Sequence, residues 1–147
     1  MLTIPSPSGP ELASRLRLAI TRTARRLRQD AGPGLSPTQA SALSTIERVG
    51  PLTPSELARI EQVQRPTISR VSARLGQAGL IERMPDELDG RGARLRVTPE
   101  GRRTLRALRS RKTAYLAERL ERLDPEEQAI LAQASELLER MLEDGGE

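Results

Sequence analysis

Between residues 11 and 29 the apolar positions Leu12, Leu16, Ile20, Ala24 and Leu27 recur every three or four residues, while Arg15, Arg22, Arg25, Arg26 and Arg28 occupy other faces. That period predicts an amphipathic helix, stopped by Gly32-Pro33-Gly34. Ahead of it, Pro5-Ser6-Pro7-Ser8-Gly9-Pro10 has neither the period nor the residues for a packed element, which predicts a flexible lead over 1–10. After the break, Ser36-Pro37-Thr38-Gln39 reads as a capping box with proline at the first helical position, opening a helix that runs through Leu43 and Ile46 to Gly50-Pro51. Thr53-Pro54-Ser55-Glu56 repeats the device and starts a short helix over 54–63.

The next segment, 65–78, places Ile68, Val71, Leu75 and Ala78 on one face and Arg65, Ser69, Arg70, Ser72 and Arg74 away from it, with Gly79 positioned to end the helix. The period then changes. Residues 80–84 and 94–98 read as two strands, the second alternating arginine with an apolar residue, joined by a polar turn that contains Asp89-Gly90. Thr98-Pro99-Glu100 opens a helix carrying Leu105, Leu108, Leu116 and Leu120 to about Leu123, and Asp124-Pro125-Glu126-Glu127 caps a last one bearing Ile130, Leu137, Leu138 and Met141. The first and last helices have apolar stripes with no obvious place in a compact monomer. No internal repeat is visible.

Composition sharpens this picture. A chain of 147 residues accommodates one domain. With Tyr115 the sole aromatic, its core must be aliphatic, as suits a helical protein. The absence of cysteine and histidine removes thiol chemistry, cysteine- or histidine-ligated metals and haem, so no cofactor is expected. The carboxylates fall mainly on exposed helix faces rather than converging, which argues against an enzyme. No apolar run approaches the roughly 18–20 residues a bilayer span needs, and the start of the chain lacks a basic region followed by an apolar stretch, so the expected location is the cytoplasm, with no membrane partner. Charge is divided along the chain: 13 arginines against 7 acids over 52–111, then 3 against 10 over 118–147. A basic middle and an acidic tail suggest a polyanion-binding region joined to one with another task. Of the 24 cationic side chains only Lys112 is lysine, and arginine's planar fork suits phosphate and guanine recognition, although a GC-rich genome gives the same bias.

The order helix, helix, short helix, helix, hairpin, long helix, helix has a winged helix-turn-helix at its centre. Arg65, Pro66, Thr67, Ser69, Arg70 and Arg74 stand on the helix that would enter the major groove, where Arg70 can reach guanine O6 and N7 and Ser69 can approach a base edge or phosphate. Asp89, Arg91 and Arg94 stand near the hairpin tip, which suits a minor groove, with Asp89 placed to hold Arg91 extended. A solvated helix face and an ordinary polar turn account for the same residues taken singly.

Together, Pro66-Thr67-Ile68-Ser69-Arg70-Val71, Leu75, Gly79-Leu80-Ile81-Glu82-Arg83, Asp86, Asp89, Arg91 and Val97-Thr98-Pro99-Glu100-Gly101 resemble the MarR (multiple antibiotic resistance regulator) family of bacterial regulators. The resemblance implies a mainly α fold with a two-stranded wing and terminal dimerisation helices: a single domain over 11–147, with a reading head at 36–101 and dimerisation helices at 11–31 and 102–147. It also implies a homodimer joined through Leu12, Leu16, Ile20, Ile130, Leu137, Leu138 and Met141. Many relatives carry two adjacent wing arginines, the first of which is replaced here by Gly90; the cysteine of oxidant sensors and the tryptophan of urate-binding relatives are absent. Two-fold symmetry then asks for a pseudopalindromic operator with half-site centres about 10 bp apart. The expected partner is double-stranded DNA, with repression relieved by a small-molecule effector between the dimer helices and the heads, aliphatic or anionic because stacking partners are lacking. The alternative is a winged-helix module that turns its basic surface to an acidic protein. The arginines at 102, 103, 106, 109 and 111 read either as a solvated face or as phosphate contacts.

Overall fold

The computed structural model describes residues 5–29, 34–85 and 92–145. In chain order the elements are α1 (Gly9–Gln29), α2 (Pro37–Val49), α3 (Pro54–Glu61), α4 (Arg65–Gln77), β1 (Ile81–Pro85), β2 (Ala93–Val97), α5 (Pro99–Leu120) and α6 (Pro125–Asp144). The class is mainly helical with one small antiparallel sheet, as the pattern predicts.

Proline-led caps set the helix starts. Ser36 Oγ accepts from the Gln39 amide at 3.2 Å while the Ser36 amide donates to Gln39 Oε1 at 3.1 Å. Thr53 with Glu56 and Asp124 with Glu127 repeat the exchange at the heads of α3 and α6. A fourth pair corrects the expected flexible lead. The Ser8 amide donates to Glu11 Oε2 at 2.8 Å and the Glu11 amide to Ser8 Oγ at 3.4 Å, so α1 begins at Gly9, two residues before the predicted start, with Pro10 in its first turn where the missing N–H costs little. The Ser8 amide, and secondarily its hydroxyl, hold the Glu11 carboxyl below its ordinary pKa.

The short α3 stops at Glu61 rather than at residue 63 because Gln62 adopts the left-handed conformation (φ 55°, ψ 43°). Val63 then donates back to the Ala58 carbonyl at 3.1 Å, and α4 starts two residues later. At the far end of α4, Gly79 takes φ +74°, the Leu80 amide returns to Leu75 O at 3.0 Å and the Gly79 amide to Gly76 O at 3.1 Å, a Schellman ending that commits Leu80 before β1 begins. The strands therefore pair from Ile81↔Val97 to Pro85↔Ala93, one residue off the predicted bounds. Thr98 is taken by the cap of α5: its hydroxyl accepts from the Gly101 amide at 3.1 Å and donates to Gly79 O at 2.6 Å.

A further rung, unforeseen in the sequence, exchanges both backbone bonds between Leu52 and Leu95, at 3.2 and 2.8 Å. It seats the sheet against α2 and α3. The core lies wholly in this region: Leu43, Ile46, Leu52, Leu57, Ile68, Leu75 and Leu95 are fully buried, each worth roughly 1.5–3 kcal/mol relative to exposure. Gly101 allows α5 to pass close by, since a Cβ there would stand 2.2 Å from the Leu80 carbonyl oxygen and 2.7 Å from Val97 Cγ2. Ser72, expected on the polar side of α4, is instead 4% exposed, and its Oγ has no hydrogen-bond partner. It follows Val71 on the face that packs on the core, and helix geometry overrules its polarity.

Candidate nucleic-acid interface

Ile68, Val71 and Leu75 turn one stripe of α4 into the core, which obliges the opposite stripe to face solvent. On that side Pro66, Ser69, Arg70 and Arg74 are exposed, while Thr67 is half-buried. Arg70 and Arg74, one turn apart, make no ion pair among the described residues. The N-cap residue of α4, Gln64, makes no side-chain capping bond, which leaves the positive end of this helix available to an anion. Arg65 is differently placed: its Nη1 donates to Ser55 Oγ, tying the first turns of α3 and α4 together. The predicted recognition set is thus assembled on one surface, with Arg65 also fastening the scaffold.

The wing divides in two. Asp89 and Arg91, expected at its tip, lie outside the described residues. Arg94 is placed in β2 opposite Met84, half-buried, and its Nη1 donates to the Pro51 carbonyl oxygen at 3.2 Å. That pair is the last but one before the hairpin loop, so Arg94 lies toward the loop end of the strands while its side chain reaches the head. The Leu52–Leu95 rung brings residue 51 alongside β2, and the Arg94 side chain follows it back toward the head. Arg96 Nε donates at 2.7 Å to Glu82, its cross-strand partner.

On α5, Arg103 pairs with Glu100, and Arg109 donates to Glu47 Oε1 at 2.9 Å. The second pair fastens α5 to α2. Arg26 Nε donates to the Tyr115 hydroxyl at 3.2 Å, and the Arg119 guanidinium lies 3.3 Å from the centroid of the Tyr115 ring, so the single aromatic links α1 to α5.

The residues expected at a dimer interface remain largely uncovered. Ile130 is 63%, Leu137 51%, Met141 64% and Leu12 46% exposed. Leu12 and Leu16 of α1 meet Leu137, Leu138 and Met141 of α6 along a groove of about 440 Å³, whereas Ile20 and Ile130 lie outside it. A second cavity, of about 650 Å³, was not legible in the sequence. It lies between α1, α2, α5 and the end of α3, and Arg28, Arg48, Arg109 and Lys112 reach it. No helix among the described residues is long and apolar enough to cross a membrane.

A short capped helix, a tight left-handed turn, a second helix with an exposed polar stripe and a hairpin seated behind it define a winged helix-turn-helix protein. The MarR family model matches residues 35–92. An HTH-type transcriptional regulator of Mycobacterium tuberculosis is 38% identical over 132 residues, covering 89% of this chain and 92% of that protein. Among solved structures, a proposed transcriptional regulator of Pseudomonas aeruginosa superposes with a TM-score of 0.79 at 34% identity, covering 94% of this chain and 98% of that one. FabT of Streptococcus pneumoniae, solved in complex with DNA, shares the fold with a TM-score of 0.63 at 21% identity, over 90% and 98% of the two chains. The chain belongs to the MarR family of transcriptional regulators, which are not enzymes.

Proposed function

We propose that this regulator is a sequence-specific repressor that binds a pseudopalindromic operator as a homodimer. The observation that carries this reading is the exposed stripe of α4, where Pro66, Ser69, Arg70 and Arg74 stand opposite the buried Ile68, Val71 and Leu75. A helix held in this way offers its first turns to a major groove. Arg70 supplies a bidentate contact to guanine, Ser69 and Thr67 supply hydroxyls for base edges or phosphates, and Arg65 and Arg74 add phosphate contacts at either end. Asp89 and Arg91, which lie outside the described residues, are the wing residues assigned to the adjacent minor groove, and Arg94 braces the wing. Two copies join through α1 and α6, whose exposed Leu12, Leu137 and Met141 need a cover. Such a dimer works in the cytoplasm, where the DNA is. A small molecule in the larger cavity relieves repression by favouring one spacing of the two heads over another.

A genomic binding map followed by titration of the recovered site is the test. Specific binding should exceed binding to random duplex by orders of magnitude, and both should weaken as salt rises. Arg70→Ala should cost about 1–3 kcal/mol and relax preference at one base position. A uniform loss on all sequences would make Arg70 a phosphate contact. No sequence preference in the parent protein would favour the acidic-partner module instead.

A further inference from the structure

The chain keeps a single aromatic residue, and it stands outside the core, on the seam between α1 and α5. α5 spans the two halves of the molecule: Gly101 and Leu105 of its first turns are buried, Leu105 within the core cluster, and its later turns lie against α1. Tyr115 is on that later part, half-buried. Its ring is held from its own helix, because the Arg119 guanidinium lies 3.3 Å from the ring centroid while Arg119 Nη1 donates to the Tyr115 carbonyl oxygen at 3.1 Å. Its hydroxyl is held from the other helix, accepting from Arg26 Nε at 3.2 Å. A leucine would also fill the seam, but apolar packing lets helices slide by small amounts, whereas a hydrogen bond weakens steeply as its angle changes.

We infer that Tyr115 is a positioning residue for operator recognition: by latching α5 to α1 it sets the separation of the two heads, and so the half-site spacing that the dimer accepts. The inference rests on the homodimeric DNA-reading function proposed above. Below the latch, the Thr98 bonds and the Arg109–Glu47 pair fasten α5 to the head, so the head follows α5 as one body. The lever is long enough for a small change to matter. Pro99, where α5 leaves the sheet, is sixteen residues from Tyr115. That is about 24 Å of helix, so a tilt of about 8° at the latch displaces the head by about 3.4 Å, the rise of one base pair. Tyr115 acts in this way without touching DNA, through where α4 is held.

Duplexes that carry the mapped half-site twice, with centres at the natural separation or one base pair either way, test this with the full chain. The parent should prefer its natural spacing by about tenfold or more. Tyr115→Phe keeps the ring under Arg119 but removes the acceptor for Arg26, and should narrow that preference to less than about threefold. Dimer dissociation and affinity for a duplex with one half-site should stay within about twofold of the parent, since neither depends on where the second head stands. Arg26→Met should have the same effect, and adding Tyr115→Phe to it should change nothing further. A parental spacing preference in Tyr115→Phe overturns the role, as does an equal loss on the single half-site, which would make Tyr115 a merely structural residue. Additive losses in the double variant overturn the Arg26 bond as its route. Incorporation of 3-fluorotyrosine labels this one position; its ¹⁹F resonance should shift on the off-spacing duplexes and not on the single half-site, and a resonance indifferent to spacing overturns the latch. A parent that fails to dimerise or ignores spacing refutes the homodimeric reading itself and takes the latch with it, a result seen before any variant is made.

Discussion

The reading head and the terminal helices are built on opposite plans. Between Ala42 and Leu105 the chain closes one aliphatic core, to which α2, α3, α4, both strands and the start of α5 all contribute. By contrast α1 and α6, although longer than any helix of the head that precedes α5, bury no residue fully. The head has the means to fold on its own contacts. The ends carry apolar stripes that gain their burial energy only from another surface. Stability of the first should depend little on protein concentration, and that of the second should depend on it strongly.

Four changes test that contrast, in decreasing order of expected effect. Removal of the chain after Asp124 should abolish self-association while the head keeps its helical signal; a truncated protein that sediments as a dimer would place the interface elsewhere. Gly101→Ala should destabilise the head by about 2–3 kcal/mol in denaturant unfolding, because the new methyl meets the Leu80 backbone carbonyl rather than a side chain that can move. An unchanged midpoint would mean that α5 shifts freely, contrary to its close seat on the sheet. Thr53→Ala should cost about 1 kcal/mol by removing half of the box that starts α3, with the loss read in the head and not in dimer dissociation. Ser72→Ala should be neutral or stabilising by up to about 1 kcal/mol, since its buried hydroxyl has no partner to lose. A clear destabilisation there would reveal a bond or bound water that the hydroxyl serves.

Acidification should act locally at the start of α1. The folded Glu11 carboxyl titrates below its ordinary value because of its Ser8 bonds, so the stabilisation is complete above the unfolded pKa and is lost as the pH falls through the depressed folded one. Amide exchange in residues 9–12 should quicken over that interval, and a pH-independent rate would show that the Ser8–Glu11 box contributes nothing.

Much of the head was legible because its signals are local. Ser36, Thr53, Thr98 and Asp124 cap the helices they were expected to cap, since a cap needs only a fixed spacing along the chain. Ser8 was overlooked for a related reason: the prolines around it suggest an unfolded lead, yet the bonds at a helix start tolerate proline. Long-range partners were not legible. Nothing near Leu52 announces a rung with Leu95, and that rung brings the Pro51 carbonyl within reach of Arg94. The polar character of Ser72 hid its burial, although its place four residues after Ile68 and three before Leu75 puts it on the buried face. The bonds of Glu61 to Ser41 and Thr45 and the cationic cavity join separate elements, and no local spacing announces them.

Thr98 has one further consequence. Its hydroxyl grips the exit of α4 at Gly79 and the entry of α5 at Gly101, so the chain leaves the helices and rejoins them at a single knot. The strands that spring from that knot are pinned again where Leu95 meets Leu52, so the hairpin is moored to the head at two points and cannot swing about either one alone.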